Sequence, residues 1–207
     1  MCPIYQVLYK KYMFKKLFLM AFLALGGVSL SAQNVALKTN LLYDATATVN
    51  LGLEVGLAPK WTFDLSGNLN AWNAFGDMRW KHWLVQPEAR YWFCERFNGH
   101  FIGFHALGGQ YNVGNIPNNI SWFPFNTDLT KLSNNRYQGW GVGGGVAWGY
   151  DVILGRHWNL EFELGLGVIY TRYDKFECKD CGAKIASDVP YIYYGPTKAA
   201  VNLVYTF

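Results

Sequence analysis

The chain has 207 residues, of which 18% are aromatic and only 15% are charged. Because soluble domains carry charge on about 25% of their residues, this composition is unusual for one of them. The formal net charge is +4. It comes from Lys10, Lys11, Lys15 and Lys16, since removing these four from the 18 basic residues leaves 14 against 14 acidic ones. A nucleic-acid partner is therefore unsupported, because phosphate recognition needs clustered Lys and Arg.

The N-terminal segment, residues 1–32, is predicted to be a signal peptide. Its lysines precede an apolar stretch from Leu17 to Leu25, and small residues up to Ala32 suit cleavage by signal peptidase. Met13 is the expected start of translation. No later apolar run reaches the roughly 20 residues that a membrane helix needs, so any membrane span has to consist of strands. We expect one exported domain over residues 33–207.

Eight segments alternate apolar and polar residues with the period of a β-strand. The clearest is 61–70, and the weakest alternation is in 100–113, whose register is left open. Pro87 lacks a backbone donor, so we expect a bulge or a kink at that position. In chain order, the predicted strands cover residues 35–44, 51–57, 61–70, 83–93, 100–113, 140–152, 158–170 and 197–207.

The connections and the aromatic residues favour an outer-membrane barrel. Residues 58–60, 94–99 and 154–156 are short turns, whereas 114–137 and 173–196 are the two longest loops, the asymmetry of bacterial barrels. We predict an all-β fold: an eight-stranded antiparallel transmembrane β-barrel, an up-and-down meander with short periplasmic turns and longer external loops. A soluble sandwich or lipocalin-like barrel, with its faces reversed, is the rival. Aromatics gather at two predicted rims: Trp61, Tyr91, Phe93, Trp158 and Phe207 at one, and Tyr43, Trp83, Trp140 and Tyr170 at the other.

The polar faces of these strands predict a charge network that fills the lumen. An eight-stranded barrel is only wide enough for its own side chains, so we expect a structural network and no catalytic site. Six acids face three bases, and we therefore expect either one carboxyl that stays protonated at neutral pH or a contribution from His105. The predicted members are Lys38, Glu54, Asp64, Glu88, Arg90, Asp151, Glu161, Glu163 and Lys198.

Three stretches resemble a known family. They are ALKTNLLYDATATVNLGLEVGLAPKWTFDLSG (36–67), WLVQPEARYWF (83–93) and GWGVGGGVAWGY (139–150). The family is a domain of unknown function, number 3575, of small outer-membrane barrels of Gram-negative bacteria with OmpA-like architecture. The resemblance implies that fold and location. It implies no catalytic residues, and it covers the external loops least well.

We expect neither of two short motifs to bind a cofactor or a metal. Gly139, Gly141 and Gly144 match the dinucleotide fingerprint, but the apolar residues between them continue a strand where that motif requires a helix. We expect these glycines to leave lumen space for bulky side chains from facing strands. Cys178 and Cys181 lack further zinc ligands nearby, so a disulfide or a pair of free thiols is expected in an exported loop.

Two further sets of residues are candidates for contacts. Trp122, Phe123 and Phe125 lie in the long loop and are expected either to bind a partner or to fold back onto the rim. Tyr205 and Phe207 form the expected C-terminal signal for the barrel-assembly machinery.

The expected function is a structural or surface-interaction role in the outer membrane, without catalysis. The expected partners are outer-membrane lipid, the assembly machinery, and a surface protein or glycan. A second hypothesis is an enzyme that modifies outer-leaflet lipid, with His82 near Ser121 or Ser133, because geometry and not sequence order defines a triad. A third is an accessory barrel for assembling surface fibres, and a fourth is a small-solute pore.

Overall fold

The computed structural model describes residues 35–72, 79–115, 135–177 and 182–207, which form eight antiparallel strands and one short helix. Each strand pairs with its neighbours in the chain, and the first also pairs with the last, so the sheet closes into a ring. The predicted eight-stranded antiparallel meander is thus confirmed. The elements are β1 (Val35–Asn40), α1 (Leu41–Ala45), β2 (Val49–Ala58), β3 (Trp61–Asn70), β4 (Arg79–Trp92), β5 (Gly99–Gly114), β6 (Arg136–Ile153), β7 (Trp158–Phe176) and β8 (Lys184–Thr206).

The alternation in β3 determines which way its side chains point. Successive residues of a strand face opposite sides of the sheet. Asp64 and Asn68 are buried inside the ring, whereas Leu65 and Leu69 lie on its outer face with nearly half of their surface exposed. The ring therefore has a polar interior and an apolar exterior. We call the end that holds Val35 and Thr206 the lower end, and the end that holds α1 the upper end.

Strand β1 is shorter than its alternation predicted. It ends at Asn40, and residues 41–44, expected to continue the strand, belong to α1 (Leu41–Ala45). The reason is local: the Asn40 side chain accepts a hydrogen bond from the Leu42 backbone N–H at 3.0 Å, which caps the helix. As a result, the Tyr43 ring lies 6.3 Å from the ring of His82, and Tyr43 lines the interior instead of the predicted outer rim.

The last two strands are longer than expected. Residues 173–196 were predicted to be a loop, but β7 continues to Phe176 and β8 begins at Lys184. Asp174 helps to join them, since it accepts hydrogen bonds from Lys184 Nζ at 2.7 Å and from the Asp188 backbone N–H at 2.8 Å. β8 contains prolines at positions 190 and 196, and proline is tolerated at strand edges and bulges.

Of the bulge or kink predicted at Pro87, the bulge does not form. It pairs with Leu65 in the regular register between β3 and β4. On the other side, the pairing of β4 with β5 is interrupted between Val85 and Glu88 and resumes in the same register. Because proline has no backbone N–H, part of the pairing between β4 and β5 is lost, but the register of these two strands does not change.

The glycines of β6 serve two purposes, of which the sequence predicted only one. A Cβ at Gly149 would collide with the ring of Phe101, so this glycine does leave space inside the ring. A Cβ at Gly145 would instead collide with the backbone carbonyl oxygen of Leu166 on β7. Glycine at position 145 thus permits the close approach of two backbones. The same holds for Gly139, where a Cβ would collide with the backbone carbonyl oxygen of Arg172, so the expectation of lumen space is wrong for Gly139.

We predict that Gly145→Ala destabilises the fold, because its methyl group meets backbone that cannot move without distorting the sheet. The expected loss is about 1–3 kcal/mol of unfolding free energy, measured by urea denaturation with tryptophan fluorescence. Gly67→Ala is the matched control, since a Cβ at Gly67 has no atom within 4 Å. Equal stability of the two variants would contradict this explanation.

Candidate functional site

The interior of the ring begins, at its lower end, with a small apolar layer. We call it the apolar floor: Trp92 and Phe101 pack with their ring centroids 4.7 Å apart, and Trp92 Nε1 donates to Thr62 Oγ1 at 2.9 Å. The guanidinium carbon of Arg90 lies 4.6 Å from the centroid of the Phe101 ring, which joins this layer to the charges above it. The members of the apolar floor are Ala36, Trp92, Phe97, Phe101 and Val204.

Above the floor, Arg90 contacts four carboxylates at once. Its side chain has no exposed surface. Nε donates to Glu88 Oε1 at 2.7 Å, and Nη1 donates to Glu54 Oε2 and to Glu161 Oε2, both at 2.8 Å. Nη2 donates to Glu163 Oε2 at 2.8 Å. A planar guanidinium suits this task because it offers several donors in a fixed arrangement.

Two lysines from neighbouring parts of the sheet complete the cluster. Lys38 Nζ on β1 contacts Glu54 and donates to Glu161 Oε2 at 2.8 Å. The other oxygen of Glu161 accepts a hydrogen bond from Asn202 Nδ2 at 2.7 Å. Strands β1, β2, β7 and β8 are therefore linked through charged side chains as well as through their backbones.

Lys198 on β8 bridges two of the carboxylates that Arg90 also contacts. Its Nζ lies 2.5 Å from Glu88 Oε2 and 3.0 Å from Glu163 Oε1. Asp64 lies at the edge, with Oδ2 at 3.8 Å from Arg90 Nη2. We call the whole set the Arg90 network: Lys38, Glu54, Asp64, Glu88, Arg90, Glu161, Glu163 and Lys198.

The structure thus brings together every predicted charged residue except Asp151. That carboxyl is buried but bonds to a neutral partner, since Asn159 Nδ2 donates to its Oδ1 at 2.7 Å. His105 is also at the margin: Nδ1 lies 4.0 Å from Glu88 Oε2, and Nε2 hydrogen-bonds to Thr197 Oγ1 at 2.8 Å. The strand with the weakest alternation, β5, does place His105 inside the ring.

Sequence reasoning left out the neutral members of the interior. Asn159 and Asn202 lie at inward-facing positions of alternating strands, so the period-two pattern carries a signal for both. The protonation of one carboxyl at neutral pH stays a prediction. Within the described ranges, no group of three or more His, Cys, Asp or Glu is suited to hold a metal ion.

At the upper end of the ring lies a cavity of about 460 Å³, the mouth cavity. One row of cross-strand neighbours crosses it, from β3 to β7. The row contains an amide, an imidazole and two phenols. A glycine separates the two phenols. Its members are Asn70, His82, Tyr111, Gly139 and Tyr173.

Of the remaining candidates from the sequence, the structure describes Tyr205, Phe207 and His82. Tyr205 packs edge-on against Trp158 and Phe207 at the lower end, with ring centroids 5.0 and 5.2 Å apart. His82 lines the mouth cavity. The predicted signal peptide lies outside the described residues. So do the other candidates, which are Trp122, Phe123, Phe125, Ser121, Ser133, Cys178 and Cys181.

Together, the fold and the interior define a closed eight-stranded antiparallel protein with an ionic core and an apolar exterior. In the part of the chain that the structure describes, no helix is long and apolar enough to cross a membrane. Residues 17–207 match the family model described as a protein of unknown function, DUF3575, and the chain belongs to this family. No curated protein and no solved structure matches the chain.

We predict that Arg90→Met destabilises the protein strongly, because it leaves the surrounding carboxylates buried and without their shared cation. Removing one partner of a buried ionic cluster costs about 3–5 kcal/mol, which urea denaturation would detect. Arg172→Met is the control: Arg172 forms an ion pair with Asp188, and its side chain is 39% exposed, so its loss should cost no more than about 1 kcal/mol. Similar losses in both variants would show that Arg90 has no special role.

Proposed function

We propose that this protein is an outer-membrane β-barrel of a Gram-negative bacterium, exported by its signal peptide and acting in a structural or surface-interaction role. The observation that supports it is the distribution of side chains in the ring. Among the buried residues described, polar and charged side chains outnumber apolar ones, while large apolar side chains are exposed outside. Transmembrane barrels have this arrangement, because hydrocarbon surrounds the outside and the lumen is polar.

The outer face is too apolar for water. Leu51 on β2 is 62% exposed, and on β7 Leu164 is 63% and Leu166 64% exposed, so the apolar outer face includes well-separated strands of the ring. Burying apolar surface is worth about 25 cal/mol per Å², so an aqueous exterior of this kind would drive aggregation. Insertion into a bilayer removes this surface from water without changing the fold.

Aromatic pairs at the two ends support the same orientation. At the lower end, the rings of Trp61 and Tyr91 lie 5.2 Å apart. At the upper end, the rings of Trp140 and Tyr170 lie 6.0 Å apart on the outer face. Amphipathic aromatic rings are enriched at membrane–water interfaces, so these two levels correspond to the two surfaces of a membrane.

The interior favours display on the surface over conduction of solutes. The Arg90 network and the apolar floor place buried, contacting side chains across the lumen, which disfavours the passage of a solute. Strands β5 to β8 have 16 to 23 residues, whereas a transmembrane strand needs about 9–11. The excess length extends the upper end beyond the membrane as a sheet that other molecules at the cell surface can contact.

We propose three kinds of partner for this protein. Outer-membrane lipid surrounds the outer face, and the barrel-assembly machinery inserts the chain. A protein or glycan at the cell surface would contact the upper end. The lipid-modifying hypothesis would require a serine beside His82, and both candidate serines lie outside the described residues.

We predict that Leu65→Arg reduces the amount of folded protein in the outer-membrane fraction. A charge facing lipid costs about 2–4 kcal/mol near the middle of the bilayer. Ile185→Arg is the matched control, since Ile185 is also exposed but lies at the upper end of β8, outside the proposed membrane band. The measurement is cell fractionation with the heat-dependent gel mobility of folded barrels.

Two results would overturn the proposal. Wild-type protein that fractionates with soluble proteins and stays dissolved without detergent is incompatible with a lipid-facing exterior. Equal recovery of the two arginine variants would show that Leu65 does not face lipid.

A further inference from the structure

The mouth cavity contains a buried acceptor without a partner. Asn70 is 2% exposed, and its Nδ2 donates to Thr48 Oγ1 at 3.1 Å. Its Oδ1 has no hydrogen-bond partner among the described residues. Asn70 lines the cavity. Since buried polar atoms are normally satisfied, this oxygen calls for a donor that the described residues do not supply.

The walls of the cavity supply aromatic side chains that are held in place. Tyr111 shares a hydrogen bond of 2.7 Å with the Thr171 hydroxyl, and Tyr173 packs edge-on against Tyr137 with ring centroids 5.5 Å apart. Fixed aromatic rings cost a ligand little ordering entropy and offer flat apolar faces. Gly139 lies between these tyrosines in the cross-strand row.

Of the Lys, Arg and Asp side chains that line the cavity, three of four are in ion pairs, and the fourth is Lys81. Arg172 forms an ion pair with Asp188, and Asp174 accepts a hydrogen bond from Lys184 at 2.7 Å. A strongly charged ligand would compete with these pairs. A neutral ligand that carries hydroxyl donors and an apolar C–H face fits the Asn70 amide oxygen and the tyrosines without doing so.

We propose that the mouth cavity binds a neutral saccharide, with ring C–H groups against Tyr111 and Tyr173 and a hydroxyl donating to Asn70 Oδ1. The cavity volume of about 460 Å³ is in the range of small-ligand sites. A saccharide site would specify what the proposed surface-interaction role binds. It rests on that role, because the upper end must face the outside of the cell, where glycans occur.

The test is a titration of the full-length protein, refolded in a zwitterionic detergent that carries no sugar headgroup. The probes are maltotriose, chitotriose and mannotriose, and binding is followed by calorimetry and by the side-chain amide NMR signals of Asn70. We expect one probe to bind and to shift these signals.

Two variants and one control assign the binding to the cavity. Asn70→Ala removes the acceptor and Tyr173→Leu removes an aromatic face, and each should weaken binding by about tenfold or more. Tyr170→Leu, a change at an outward-facing position on β7, should bind like the wild type. Folding of each variant is checked by its heat-dependent gel mobility, so that a misfolded variant is not scored as a loss of binding.

The outcomes separate this inference from the proposed function. Failure of all three probes to bind folded wild-type protein overturns the saccharide site, and so does binding that both cavity variants retain. Neither result affects the fractionation experiment, which tests the membrane location on its own. Binding by a protein that fractionates as soluble would keep the site and remove the proposed role.

Discussion

The contact between the Arg90 guanidinium and its carboxylates is the interaction on which the rest of this protein depends. Glu54 on β2, Glu88 on β4, and Glu161 and Glu163 on β7 all converge on one side chain. These strands lie on different sides of the ring, so one cation ties them together across its interior. A polar core of this kind contributes less net stability than an apolar one, but it specifies the arrangement of strands, because any other register would leave charges unpaired.

That core also explains the apolar exterior. A closed ring of eight strands encloses only enough room for its own inward side chains. Once those positions carry charge, the apolar residues of the alternating pattern have no place except the outside. The distribution that supports a membrane location is therefore a consequence of how the lumen is filled.

The sequence predicted the parts of this structure that depend on local alternation. β3 was found to the residue because Asp64 and Leu65 belong to a nearly unbroken alternation of polar and apolar side chains, and the same pattern located the charges around Arg90. It missed α1, since Asn40 can cap a helix or continue a strand. It also missed the mouth cavity, because the cross-strand neighbours Asn70 and Tyr173 meet only when β3 to β7 are in register, and no local signal reports that.

The first and last strands meet along a short seam. Among the described residues, β1 pairs with β8 between Ala36–Asn40 and Asn202–Thr206, five residue pairs that join segments more than 160 positions apart in the chain. Contacts so distant in sequence form late, because the loop that must close is long. Until this seam forms, both lateral edges of the growing sheet present unpaired backbone groups, to which the edge strand of another chain can pair.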